Sequence, residues 1–131
     1  MAKPIRPEDI GKVDSEHAQQ VALFAWAALN TIKYPELAMM FAIPNGGLRS
    51  KITAANLKAE GVRAHVPDIF LPVPRGMWHG LFIEMKKKGG RVDPGQIDYI
   101  VKLQDLRYGA LVCVGWQAAR DTIIRYLEWK R

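Results

Sequence analysis

The sequence predicts a single α/β domain in which helices flank a mixed sheet of four strands. The chain has 131 residues, the usual size of one domain, and it contains no internal repeat and no linker long enough to divide it. Helical and strand patterns follow one another in the order α-β-α-β-β-α-β-α. We therefore treat residues 1–131 as one domain, with a polar leader over residues 1–13.

The first predicted helix is unusually apolar. Asp14 or Ser15 can cap it, Glu16 lies in its first turn, and it runs to about Lys33. The segment Val21–Leu29 is apolar on nearly every side, so the rest of the domain or a partner chain should cover it.

The next segment, Leu37–Ile43, is ambiguous between strand and helix by periodicity alone. Its short length and the Pro-Asn-Gly-Gly turn that begins at Pro44 favour a strand. A second helix is predicted over Ser50–Glu60, with Gly61 as its C-terminal cap.

The second half of the chain is predicted to contain two strands, a helix, a strand and a final amphipathic helix. Asp93 should cap the helix, with Pro94 at its first position and Gln96 placed for a capping box. The predicted bounds are Val66–Pro74, Leu81–Lys86, Asp93–Gly109, Ala110–Gly115 and Gln117–Trp129.

Charge and cysteine content suggest a partner and a compartment. The formal net charge of +6 favours a polyanionic partner such as nucleic acid. The single cysteine, Cys113, cannot form an internal disulfide, and its apolar neighbours predict a buried side chain. The N-terminus lacks the apolar core of a signal peptide, and Val21–Leu29 is shorter than the roughly 20 residues of a membrane span. These features predict a cytoplasmic protein that does not enter a membrane.

Three charged residues on two successive strands form the candidate active site. Asp68 follows a proline, and strand alternation sends the side chains of Glu84 and Lys86 to one face, with Met85 on the other. Charges inside such an apolar strand are costly unless they are paired or bind a metal. A divalent cation held by Asp68 and Glu84 would supply the reason, and oxygen ligands suit Mg²⁺ or Mn²⁺. For the bare triplet Glu-x-Lys, a solvated ion pair at a strand edge is the alternative, because such triplets are common.

Several motifs, in order along the chain, resemble those of the VRR-NUC nucleases. They are Asn45-Gly46-Gly47, Leu57–Gly61, Val66–Ile69, Phe82–Lys86 and Gln96, together with Glu16 and Gln20. The resemblance spans about residues 15 to 115. It implies a restriction-endonuclease-like core, a Mg²⁺ or Mn²⁺ cofactor and cleavage of DNA phosphodiesters. Short stand-alone versions resemble those of bacteriophages, which would mean the host cytoplasm, and are similar to Holliday-junction resolvases in working as homodimers.

The resemblance also implies roles for individual residues. The catalytic positions are Asp68, Glu84, Lys86 and Gln96. The metal ligands are Glu16, Asp68, Glu84 and the backbone carbonyl of Met85. The substrate-binding positions are Asn45, Gly46, Gly47, Arg49, Arg63 and Lys87.

Two of these positions have a structural explanation as well. Glu16 is also favoured at a helix N-terminus by the helix dipole, and Gln96 is also explained by the capping box with Asp93. The chain departs from the family pattern at His65, where a small residue, often glycine, usually precedes Val-Pro-Asp.

The sequence thus predicts a metal-dependent endonuclease for branched or structured DNA. A non-catalytic DNA-binding module and a nuclease subunit that needs a helicase or recognition partner are the alternatives. We expect a homodimer built partly on the apolar first helix and on Trp26 and Trp129. The reason is that four tryptophans and a helix that is apolar on nearly every side exceed what a small domain readily hides.

Overall fold

The structure, a computed structural model, describes residues 6–10, 15–44 and 51–130. Within these ranges five α-helices, one 3-10 helix and four strands follow one another. The helices are α1 (Pro7–Ile10), α2 (Glu16–Leu29), α3 (Lys51–Ala59), α4 (Pro94–Asp105) and α5 (Trp116–Leu127). The strands are β1 (Phe41–Ala42), β2 (Ile69–Leu71), β3 (Leu81–Lys86) and β4 (Gly109–Val114), and the 3-10 helix covers Pro35–Met39.

The four strands form one mixed sheet in the order β1-β2-β3-β4. β1 pairs with β2 and β2 with β3 in antiparallel fashion, whereas β3 and β4 are parallel and are joined through α4. A parallel pair needs such a crossover because its two strands run in the same direction. The predicted fold class and order of elements are confirmed.

Two predicted strands are shorter in the structure. The segment Leu37–Ile43 is mostly the end of the 3-10 helix, which begins at Pro35, and only Phe41–Ala42 pairs as a strand. Pro35 presets the backbone for a helical turn, so the chain enters this segment as a helix. The strand predicted over Val66–Pro74 is confined to Ile69–Leu71 because the flanking prolines cannot donate to a ladder.

The helices also differ in their bounds from the prediction. α2 ends at Leu29, before the predicted Lys33, and Asn30 follows it as the C-cap. The predicted leader, residues 1–13, includes the short helix Pro7–Ile10, which packs against α2.

The pleat of β3 separates the core from the charged residues. Leu81, Ile83 and Met85 are each at most 3% exposed and lie in the main core with residues of α2 and α5. The alternate positions, among them Glu84 and Lys86, face the other side of the sheet. There α4 packs over β4 and forms a smaller second core.

Most of the apolar face of α2 is covered within the chain itself. Its buried residues include Ala22, Leu23 and Trp26, and the Trp26 side chain is only 8% exposed within the main core. The expectation that Trp26 contributes to a dimer surface is therefore wrong, because its ring is already used. Trp129 is 54% exposed.

No helix within the described ranges has the length and apolar character required to cross a membrane. Cys113 is buried, as expected, and its thiol contacts the Thr122 hydroxyl.

A buried arginine ties the end of α5 to the rest of the domain. Arg75 is 6% exposed, and its guanidinium donates to the carbonyls of Leu127 and Pro74 and forms an ion pair with Glu36. These contacts join the loop after β2 to α5 and to the 3-10 helix, so we assign Arg75 a structural function.

We predict that Arg75→Met lowers the free energy of unfolding by about 3 kcal/mol, because Glu36 and the carbonyls lose a buried donor. Lys102→Met is the matched control, since the Lys102–Asp98 pair is exposed and should contribute at most about 1 kcal/mol. Urea denaturation of both variants measures the difference, and equal effects would contradict this interpretation.

Candidate active site

The antiparallel register brings the two acidic residues together. Ile69 pairs with Ile83, so continuing this register places Asp68, directly before β2, opposite Glu84 on β3. Both side chains leave the sheet on the face away from the main core, as does Lys86. Glu84 is 2% and Lys86 7% exposed, and Asp68 is half-buried. The Lys86 Nζ atom lies 3.5 Å from the Glu84 carboxylate.

Pro67 explains why the ladder opens at this point. By the same register Pro67 lies opposite Met85, but proline has no N–H to donate to the Met85 carbonyl. The Met85 N–H instead donates to the Asp68 carboxylate at 2.8 Å. The sheet thus fixes the Asp68 side chain and leaves the Met85 carbonyl without a backbone donor from this strand.

The Glu84 carboxylate is the most unusual group of the site. Its Oε2 accepts a hydrogen bond from the Gln96 side-chain amide at 2.9 Å, whereas its buried Oε1 has no hydrogen-bond partner within the described part of the chain. Burial, and after it the nearby Asp68 carboxylate, raises the pKa of Glu84 to about 7, against a smaller opposite effect of Lys86. The site therefore holds an acidic group that gains and loses its proton close to physiological pH.

Gln96 serves the helix cap and the site at the same time. Its Oε1 accepts from the Asp93 N–H at 3.1 Å, which closes the capping box at the start of α4. Its amide nitrogen is then directed to Glu84. Gln96 thus closes the capping box and also contacts Glu84, whereas its catalytic role remains a prediction.

Glu16 reaches the site through Lys86. Its carboxylate lies 3.5 Å from the Lys86 Nζ atom, and its side chain is half exposed in the first turn of α2, which Ser15 caps. Glu16 thus lies beside Lys86 and also at a helix N-terminus, the two locations that the sequence analysis expected for it. Its role as a metal ligand remains a prediction.

One buried polar residue near the site was missed by the sequence analysis. Gln19, 7% exposed, accepts a hydrogen bond from the Trp116 N–H at 2.9 Å and so joins the starts of α2 and α5. α5 begins after Gly115, whose side chain cannot cap a helix. The available signal for a buried polar contact was a glutamine shortly before the apolar segment Val21–Leu29.

His65 occupies a backbone conformation that favours glycine. Its φ is 70°, and its imidazole lies so close to Gly95 that an added Cβ there would be 2.6 Å from the ring. The Nδ1 atom lies 3.8 Å from the Asp93 carboxylate. The family's usual small residue at this position thus has a physical reason, and in this chain Gly95 makes room for the histidine.

The structure describes only two of the predicted substrate-binding residues, Arg63 and Lys87. Asn45, Gly46, Gly47 and Arg49 lie outside the described residues. Arg63 is exposed between α3 and β2, and Lys87 is half-buried directly after β3.

The donors present are compatible with a divalent cation. The carboxylates of Asp68 and Glu84 and the Met85 carbonyl are hard oxygen donors, and one buried Glu84 oxygen has no partner in the described ranges. No cluster of three or more His, Cys, Asp or Glu side chains is arranged as a metal site in residues 6–10, 15–44 and 51–130. A cation held here would therefore need backbone, water or substrate oxygens to complete its shell.

Comparison with known proteins identifies the arrangement. The VRR-NUC domain matches residues 8–117. The chain belongs to the VRR-NUC domain family. A solved structure described as a VRR_NUC domain protein is 28% identical, with a TM-score of 0.76, and the alignment covers 88% of this chain and 89% of that one. No curated protein matches.

VRR-NUC membership gives the chain a nuclease-type function with DNA as its substrate. Asp68, Glu84, Lys86 and Gln96 all lie within the matched range, and the structure brings their side chains together.

The raised pKa of Glu84 predicts a pH-dependent stability. Its ordinary pKa is 4.5 and its pKa in the folded protein is about 7. The folded state therefore holds this proton more tightly, so the stabilisation is fully present below pH 4.5 and is lost as the pH rises through about 7. In Glu84→Gln this contribution should vanish, so the variant gains stability relative to the native chain across that interval.

Chemical denaturation in EDTA between pH 4.5 and 8 measures this difference, and the titrating groups that do not interact with Glu84 cancel between the two proteins. A difference that does not change with pH would contradict the assignment.

Proposed function

We propose that this VRR-NUC chain is a Mg²⁺- or Mn²⁺-dependent endonuclease that hydrolyses phosphodiesters in branched or structured DNA. The observation that carries the proposal is the buried Glu84 carboxylate, which has one unpartnered oxygen in the described structure and lies beside Asp68. Two adjacent carboxylates repel each other, and a cation between them would remove both the repulsion and the unsatisfied oxygen.

The proposed cation would be held by the carboxylates of Asp68 and Glu84 and by the Met85 carbonyl, with Glu16 acting directly or through water. When bound, such an ion polarises the phosphate and lowers the pKa of a water molecule. Asp68 is already oriented by the Met85 N–H, and Glu84 by Gln96. The chain's own hydrogen bonds therefore set the ligand positions in advance.

Lys86 would act on the water and the phosphate. Its ammonium lies 3.5 Å from both Glu16 and Glu84, and the side chain is 9% exposed, so its position is well defined. From there it would orient the attacking water and offset the negative charge that grows on the phosphate as the new P–O bond forms and the old one breaks.

Binding of DNA would rest mainly on phosphate contacts. The chain carries a net charge of +6, and Arg63 and Lys87 lie on segments next to the strands that hold the carboxylates. Asn45, Gly46, Gly47 and Arg49 would add backbone and side-chain donors. We propose that the reaction takes place in the cytoplasm, or in the host cytoplasm for a phage-encoded chain.

The deciding variants are Asp68→Asn and Lys86→Ala. Asp68→Asn keeps the shape but removes the charge that holds the cation, so cleavage should disappear while DNA binding is unchanged or stronger. Lys86→Ala should retain metal affinity and lower the cleavage rate by about a hundredfold or more, the scale of one positioned electrostatic group.

These variants are compared on four-way, flap, nicked, hairpin, single-stranded and fully paired DNA with Mg²⁺ and with Mn²⁺. Asp98→Asn and Lys102→Ala are matched controls, because that carboxylate and ammonium are exposed on α4. Cleavage by a well-folded Asp68→Asn protein at the native rate would refute the active site. DNA binding without cleavage by the native chain would point to a binding module, and cleavage only with an added protein to a partner-dependent subunit.

We also propose that the chain is a homodimer. The support is the resemblance to junction resolvases and a set of exposed apolar side chains at the end of α2, where Leu29 is 56% and Ile32 97% exposed.

Light scattering of the purified chain at micromolar concentration should give the mass of two chains. Leu29→Lys with Ile32→Lys should reduce it to one chain without lowering the melting temperature, because neither side chain is in the core. A single-chain mass for the native protein, with and without DNA, would refute the dimer.

A further inference from the structure

An aromatic row lies next to the acidic pair on the same face of the sheet. Phe41 on β1 pairs with Phe70 on β2, which pairs with Phe82 on β3. Asp68 and Glu84 are each two residues from this row along the same strands, so they project from the same face. Two residues of a strand span about 7 Å. The row therefore lies within reach of the nucleotide that adjoins a phosphate held at the acidic pair.

The three rings do not offer the same surface. Phe70 and Phe82 are stacked on each other with centroids 4.2 Å apart, so each covers one ring face of the other. Phe41 meets Phe70 at 83°, with centroids 5.8 Å apart, and does not stack on it. Phe41 is also 49% exposed and belongs to the edge strand of the sheet. Phe70 and Phe82 are half-buried, so Phe41 is the most exposed of the three rings.

From this geometry we infer that Phe41 is a stacking site for an unpaired base next to the scissile phosphate, which makes DNA with an unpaired strand at the cleavage point the preferred substrate. The inference rests on the proposed nuclease function and specifies its substrate. A base in a continuous duplex is already stacked on its neighbours, so only an unpaired base can lie on an aromatic side chain.

Two observations favour a nucleic acid base over an apolar protein partner at this ring. The neighbouring row includes the half-buried carboxylate of Asp68, a charged group that an apolar protein surface would have to desolvate. The chain is also strongly basic, with a net charge of +6. The ring thus adjoins a site for a phosphate, and a nucleotide supplies both the phosphate and the flat ring.

The test measures binding and cleavage of two DNA molecules of the same sequence by the full chain. One is fully paired, and the other has a splayed, unpaired arm. Binding is measured by fluorescence anisotropy in EDTA, where no metal-dependent cleavage occurs. The variants are Phe41→Leu, which keeps the apolar volume but removes the aromatic face, and Phe41→Trp, which keeps a face. Met77→Leu is the control, because Met77 is 58% exposed in the loop between β2 and β3.

Phe41→Leu should weaken binding of the splayed arm by roughly five- to a hundredfold, the range found when a stacking side chain is removed. Binding of the paired DNA should remain unchanged, and Phe41→Trp and Met77→Leu should bind both as the native chain does. In Mg²⁺ or Mn²⁺ the loss should appear in KM for the splayed arm, with kcat nearly constant. Equal affinity of Phe41→Leu and the native chain for the splayed arm would overturn the inference.

Two further results would also overturn it. An equal loss on both DNA molecules would mean a general contact, and a change of mass in light scattering without a change in DNA binding would assign Phe41 to a protein interface. The proposed function fails separately, if the native chain cuts no DNA with either metal. Melting temperatures establish that each variant is folded.

Discussion

The burial of the Glu84 carboxylate is the constraint on which the rest of the site depends. A charge removed from water costs several kcal/mol unless neighbours compensate for it. Two groups do so in part: Gln96 donates to one oxygen and Lys86 lies 3.5 Å away. Burial still raises the pKa of the carboxyl to about 7. The second oxygen remains unsatisfied in the described structure. A fold that only had to be stable would place an apolar residue there, so the retained acid indicates a function.

β3 meets two opposed requirements through its alternation. Every second residue completes the core between the sheet and the helices α2 and α5, and the residues between them include Glu84 and Lys86 of the proposed active site. Because Met85 lies in the core with no exposed surface, the backbone on which Glu84 and Lys86 stand is fixed by packing. Pro67 adds a second effect, since its missing N–H leaves no backbone donor at that position for the Met85 carbonyl. The Met85 N–H separately donates to the Asp68 carboxylate. The positions of Glu84 and Lys86 thus follow from the packing of the strand itself.

The sequence was sufficient for the order of the elements and for the shared face of Glu84 and Lys86, because both follow from local periodicity. It misassigned most of Leu37–Ile43 as a strand. A short apolar run after a proline is compatible with a helix and with a strand, and tertiary packing decides between them. Which distant residues contact each other could also not be deduced from local periodicity. The hydrogen bond from Trp116 to Gln19 and the burial of Trp26 depend on how α2 and α5 pack. The sequence also left the capping box and the active site as alternative settings for Gln96. Spacing along the chain cannot show that its Oε1 atom accepts from Asp93 while its amide nitrogen donates to Glu84.

The contact between His65 and Gly95 has a consequence for how this domain can change over time. Each residue tolerates the other only in this combination: the imidazole fills the volume that any side chain at position 95 would need, and the backbone at position 65 is one that glycine adopts more easily. The two positions are therefore coupled although they are distant along the chain, because a side chain at position 95 would require the imidazole to move or a smaller residue to replace it. A small residue at position 65 would lift this restriction on the start of α4.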